Sequence, residues 1–236
     1  MPDTVFVSDL HLYSARSQPV RFELPMHQCA AEVQTMVLGG DIFDFRWSTL
    51  GDTDATIVAA MRWLDDLVAS HAQCQFHFVL GNHDYNEKFV TELERYALQR
   101  SNLDIHHYWL RLDQNIFLHG DAADHPAMCA DRLIARRDKW RHDESRTRLH
   151  HAMYDLAVRA NLHKLASHVM NRPQKVVGRI HQYLRRIGQG PDQGVEQVYF
   201  GHTHAAINAL VYDGMTFHNG GAPITGLDFR IVDVAS

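Results

Sequence analysis

The chain has 236 residues, of which 45% are hydrophobic and 22% charged, and a formal net charge of −5 at pH 7. These are ordinary globular values, which exclude a disordered, collagen-like or coiled-coil chain, and no apolar run reaches the roughly 20 residues of a membrane-spanning helix. Cys29, Cys74 and Cys129 are odd in number and far apart, the pattern of buried thiols in a reducing, cytoplasmic setting and not of a disulfide framework.

In chain order, the opening residues run directly into a strand at 4–8 without a basic or apolar leader, so no secretory signal is expected. Residues 35–39 and 75–80 repeat the pattern of a short apolar run ending near glycine. Between them Ile57, Ala60, Met61, Leu64, Leu67 and Val68 recur at helical spacing, with Asp52 and Asp54 near the start. Residues 87–100 form a second amphipathic pattern, followed by strands at 105–110 and 115–118. From 126 to about 186 the pattern turns helical, with Leu149, Ala152, Met153, Leu156 and Ala160 on one stripe. Residues 188–194 are a glycine-rich linker. A strand at 197–200 precedes a hairpin, 207–212 and 215–218, around Asp213-Gly214, and 229–234 closes the chain as a strand. The order implies a layered α/β fold, one domain over 1–236 with a helical insertion at about 126–190.

Charge is unevenly placed. Residues 126–190 hold 14 of the 23 Lys+Arg but only 5 of the 28 Asp+Glu. An acidic body suits a cation site, and a basic insertion suits an anionic substrate, a membrane surface or nucleic acid, the plain alternative being a solvated helical face.

Five polar clusters stand at strand ends: Ser8-Asp9-Leu10-His11, Gly39-Gly40-Asp41-Ile42-Phe43-Asp44, Gly81-Asn82-His83-Asp84, His119-Gly120-Asp121 and Gly201-His202-Thr203-His204. In open α/β sheets ligands bind beyond the carboxyl ends of strands, so all five can converge. Taken singly, Asp9-x-His11 is a common triplet and Gly40-Asp41 reads as a turn or helix cap. Taken together, in order and after strands, they point to one site. Asp9, His11, Asp41, Asn82, His119, His202 and His204 offer nitrogen and oxygen donors and no thiolate, which excludes a cysteine-type structural zinc site and suits Mn, Fe or Zn. Seven donors exceed one tetrahedral ion and suit two ions about 3.5–4 Å apart that share a carboxylate.

With these residues in place, the sequence resembles the calcineurin-like metallophosphoesterases, whose pattern is D-x-H, G-D-x-x-D, G-N-H-[DE], a later His, and G-H-x-H. The resemblance implies a two-sheet sandwich flanked by helices. It implies that Asp9, His11 and His204 hold one metal, that Asn82, His119 and His202 hold the other, and that Asp41 bridges both. It places His83 at the phosphate, aiding departure of the leaving group, with Asp44 orienting it, and aligns Asn219-Gly220-Gly221 with a turn found after G-H-x-H. A narrower resemblance is to UDP-2,3-diacylglucosamine diphosphatase, of the lipid A pathway, and its paralogues. It rests on total length, the compact spacing from Asp9 to Asp41, and a helical insertion between His119 and His202, which in that enzyme is a lid over acyl chains. That enzyme carries Arg and Glu where this chain has His83 and Asp44.

The expected activity is hydrolysis of a phosphodiester or pyrophosphate by in-line attack of water activated between two divalent ions, manganese first, with iron or zinc as alternatives. A lipid-linked substrate would bring the insertion against an anionic membrane, peripherally on the inner face. The alternatives are a soluble phosphodiesterase or phosphatase acting on nucleotides or small esters, and a nucleic-acid enzyme or binder using Arg136, Arg137, Lys139 and Arg141. An acidic body without interleaved aromatic platforms argues against nucleic acid as a partner.

Overall fold

A computed structural model describes residues 2–142 and 172–235. Strands β1 (Thr4–Val7), β2 (Thr35–Leu38), β3 (Gln75–Val79) and β4 (Leu103–His106) run parallel, and β10 (Val232–Asp233) joins β1 antiparallel, giving the order β10-β1-β2-β3-β4. The second five-stranded sheet contains β5 (Trp109–Leu112), β6 (Asn115–Leu118), β7 (Gln197–Phe200), β8 (Ile207–Tyr212) and β9 (Met215–Asn219), in the order β5-β6-β7-β9-β8. Its β6, β7 and β9 are parallel, and β8 and β9 form the hairpin expected around Asp213-Gly214.

Side-chain alternation along each strand sets the layers. Phe6, Val37, Val79, Phe117, Tyr199 and Val232 meet between the sheets. The opposite face of the first sheet (Val5, Val7, Met36, Phe76, Phe78) packs under α1 (Glu23–Glu32), α2 (Thr53–Ser70) and α3 (Glu87–Ala97). The opposite face of the second (Ile116, Leu118, Val198, Phe200, Phe217) packs under α4 (Ala130–Arg137) and α5 (Pro173–Arg186). The result is the expected two-sheet sandwich covered by helices on both sides. Local chemistry fixes the helix starts: Asp52 caps α2 by accepting from the Ala55 amide at 2.7 Å, Asn86 caps α3 through the Lys88 and Phe89 amides, and Pro173 opens α5.

Three elements differ from the sequence expectations. The strand expected at 105–110 is two strands in different sheets, because the chain crosses the sandwich at His107-Tyr108, and an apolar run carries no mark of which sheet it joins. The strand expected at 229–234 is a two-residue ladder; Phe229 instead bridges Gly221. Helix α1 was not expected. Only Met26 and Ala30 of its ten residues are buried, too thin a stripe for periodicity, and Pro25 sits in its first turn, where no intrahelical amide is needed. Within the basic segment α4 and α5 are helical as expected, and the stripe Leu149, Ala152, Met153, Leu156 and Ala160 lies outside the described residues.

Candidate metal centre

The loops after β1, β2, β3, β6 and β7 carry the five clusters, and the sandwich brings them together at one end. Five of the seven donor residues have left-handed backbone: Asp9 (φ 56°), His11 (46°), Asp41 (51°), His202 (65°) and His204 (55°). Each such non-glycine residue costs roughly 1 kcal/mol or more and persists where neighbouring structure over-determines it. Close approach of the loops is what holds them. A Cβ at Gly81 would overlap the Asp41 amide and carboxylate, and one at Gly201 would overlap the Asp9 carboxylate.

Asp9, His11 and His204 form one group whose donor atoms lie within 4.8 Å of one another, and Asp41, His119 and His202 form a second. Asn82 joins the second group, its Oδ1 3.1 Å from His119 Nε2. Asp41 Oδ2 faces both groups, 3.9 Å from His11 Nε2 and 3.3 Å from His119 Nε2. A third group, His11, Asp41 and His83, overlaps the first two. The His83 amide donates to Asp41 Oδ1 at 2.8 Å, and its imidazole Nδ1 lies 2.9 Å from Asp44 Oδ1. The structure therefore assembles all nine residues singled out from the sequence.

The donors fit divalent cations. His11 Nε2 and His204 Nε2 face each other at 2.9 Å, as do His119 Nε2 and His202 Nδ1 at 3.2 Å, so imidazole lone pairs converge on common points. Burial, reinforced by Arg16, pushes the His11 pKa down to about 4, and burial with His11 and Arg16 holds His204 well below its ordinary value. Both rings thus stand neutral, the form that binds metal. Burial opposes charge on Asp41 and Asp44, yet for Asp41 the imidazoles of His119, His83 and His11, and for Asp44 those of His83 and His11 with Arg16, hold these carboxyls well below the usual range. Burial pushes Asp9 up to about 6. It also works against a proton on His119, which the Asp41 and Asp9 carboxylates nevertheless raise to about 10. The positive charge that these carboxyls draw from protons on neighbouring imidazoles is what a cation would supply in their place.

Several supporting residues escaped sequence reasoning or were named in it without a role. Asp84, fully buried, accepts from the Gly81, Ile42 and Phe43 amides and so ties the loop after β3 to the loop after β2; burial and Asp41 raise its pKa to about 7. Its place at the end of Gly-Asn-His-Asp was the only available signal. Arg16 reaches His11 and Asp44. Asp124 accepts from His202 Nε2 at 2.9 Å, turning Nδ1 toward His119. Asn219, noted for its Asn-Gly-Gly turn, donates to the Gly201 carbonyl and Thr203 Oγ1 and accepts from the Gly221 amide, bracing the loop after β7.

The basic segment departs from expectation at Arg137. This side chain is 0% exposed, so it is unavailable to a membrane or to nucleic acid. Arg136 pairs with Asp124, Arg141 with Glu87, and Arg186 donates to the Pro126 and Met128 carbonyls. Trp140 packs 4.9 Å from the His83 ring, and the Arg46 guanidinium stacks 3.7 Å from the Trp140 centroid. Among the described residues no helix is long and apolar enough to cross a membrane.

The family model for calcineurin-like phosphoesterases matches residues 3–206, and the chain belongs to that family of metal-dependent phosphoester hydrolases. No curated protein matches the chain. Among solved structures, a dimetal phosphatase from Danio rerio is similar to it, with 13% sequence identity, a TM-score of 0.45, and coverage of 95% of this chain and 89% of that one.

Proposed function

We propose that the chain hydrolyses a phosphodiester or pyrophosphate bond at a two-cation site in which Asp9, His11 and His204 hold one ion, Asn82, His119 and His202 hold the other, and Asp41 serves both. The observation that carries this reading is the position of Asp41 Oδ2, a carboxylate oxygen turned to imidazoles of both donor groups. Bound there, divalent ions supply activated water and neutralise phosphoryl charge. Manganese is the proposed occupant, and the all-N/O donor set suits iron or zinc as well.

The protein's own chemistry is proton handling and positioning. With Nδ1 of His83 on Asp44, its Nε2 is the nitrogen that presents a proton to the leaving oxygen. Burial opposes protonation of His83, but Asp44 and Asp41 raise its pKa overall, so the imidazole is kept as a donor. Asp44 fixes the ring in that orientation, and Arg16 holds Asp44 in turn. The Trp140 ring, backed by Arg46, walls the site beside His83 and shields the proton from bulk water.

A small or nucleotide-like soluble substrate is favoured by the partners of Arg136, Arg137 and Arg141, which engage these three charges of the basic segment with the protein body. A lipid-linked pyrophosphate of the kind taken by UDP-2,3-diacylglucosamine diphosphatase is the second reading, with peripheral contact to an anionic membrane. It is supported by the insertion's length and place, and its apolar stripe belongs to residues 143–171. The deciding experiment is turnover with added Mn(II) on a diacylated sugar nucleotide, a nucleotide diester and an aryl phosphate diester. Preference for the soluble diesters supports the first reading; preference for the diacylated substrate in detergent replaces it with the second; no metal-dependent turnover of any of them overturns both.

A further inference from the structure

The inserted segment begins on the side of the site where Asn82, His119 and His202 stand. Arg137, the last residue of α4, is buried and donates in four directions. Its Nε and Nη2 reach Asp121 Oδ2 and Oδ1 at 2.9 and 2.8 Å, and its Nη1 reaches the Leu80 carbonyl at 2.8 Å and the His107 carbonyl. Tyr85 and Tyr108 flank the guanidinium. Leu80 lies two residues before Asn82, and Asp121 two residues after His119, so one planar fork sets the spacing between the two loops that present these donors. One residue earlier, Arg136 holds Asp124, which accepts from His202 Nε2. Residues flanking Asn82 and His119, and the acceptor of the His202 ring, are thus held from a single turn of α4. Asp9 and His11 have other partners: Ser8 and the His202 amide donate to Asp9, and Arg16 and Asp44 contact His11, which in turn faces His204.

We infer that α4 is the outer support of one ion site and not of the other, with Arg137, Arg136 and Asp124 as positioning residues for Asn82, His119 and His202. The inference rests on the division of donors proposed above. Helix α4 carries no donor itself. It sets the distance between two loops and the orientation of the His202 ring, and partners of this kind are typically worth roughly 10–100-fold in metal affinity. Metal affinity at the two sites therefore responds unequally to changes in the inserted segment.

The test uses full-length protein stripped by a chelator, titrated with Mn(II) by calorimetry, and counted by elemental analysis. Wild type is expected to take two ions. Asp124→Ala is expected to weaken one ion roughly 10–100-fold and leave the other unchanged, Asp124→Glu to recover part of the loss, and Arg136→Gln to weaken the same ion less. His204→Ala is expected to weaken the other ion, so that the double variant with Asp124→Ala holds neither tightly. Arg137→Lys tests the fork, and if it does not fold the exposed Arg136 and Asp124 variants decide. Equal weakening of both ions in Asp124→Ala, or of neither, overturns the inference. If His202→Ala loses one ion while Asp124→Ala loses none, the inference falls and the division of donors stands. If His202→Ala keeps both ions, both fall.

Discussion

The strand-end loops and the basic segment both concentrate ionisable side chains, and they dispose of them in opposite ways. In the loops, donors from distant parts of the chain are buried facing one another, so His11 meets His204 and His119 meets His202 at hydrogen-bond distance. In the basic segment three arginines each have their own acceptor: Arg137 has Asp121, Arg136 has Asp124, and Arg141 has Glu87. A field that converges leaves an electrostatic demand for something from outside. A field that is paired internally makes structure. Net charge over a stretch of sequence does not distinguish these cases, and motif order does, because a motif fixes which residues stand at the ends of strands.

The sharpest way to break this comparison is Asp41→Asn. One oxygen faces both donor groups, so both ions should weaken together, and turnover should fall further than the roughly 10²–10⁴-fold expected for loss of a general acid. Retention of full metal content and activity would show that the groups do not share it. His83→Ala is expected to lower kcat by that 10²–10⁴-fold factor with both ions retained, as elemental analysis would show, and Asp44→Asn to follow it more mildly. Loss of an ion in His83→Ala would make His83 a ligand. Arg137→Met tests the other region. It leaves Asp121 buried without its partner and should cost about 3–5 kcal/mol in denaturant unfolding; an unchanged midpoint would mean the fork carries no structural weight. Arg141→Gln breaks a half-exposed pair and should change stability by about 1 kcal/mol or less. The smallest effect expected is on vesicles: with their charges engaged by the protein body, Arg136 and Arg141 changed to Gln together should leave low-salt binding to anionic vesicles unaltered. A clear drop would assign these side chains to a membrane.

Much of this was legible in the sequence, for reasons that can be named. Strands β1, β2, β3, β6 and β7 are short apolar runs followed within two residues by glycine, aspartate or histidine, and the donor types at their ends carry their chemistry regardless of conformation. Helix α2 announces itself by Asp52 and a broad apolar stripe, and α3 by Phe89, Val90, Leu93, Tyr96 and Ala97 at helical spacing. What stayed hidden depends on relations between distant segments. The change of sheet at His107-Tyr108 follows from how two sheets stack. Burial of Arg137 follows from the meeting of Leu80, His107 and Asp121 around it, which no spacing in α4 foretells. The roles of Asp84 and Asp124 were hidden for a related reason: they bind backbone amides or another side chain, which motif membership for Asp84 did not reveal and no motif marked for Asp124.

The left-handed backbone at five donor residues implies that chemistry and durability pull this chain in different directions. At each of those positions glycine would relax the main chain, and glycine has no donor to offer. With aspartate or histidine at these positions the fold keeps a donor and stands short of the stability that glycine would give it. Position 204 makes the tension measurable: cutting His204 back to glycine should leave a protein about 1 kcal/mol more stable than cutting it back to alanine, the reverse of what helix or strand interiors show.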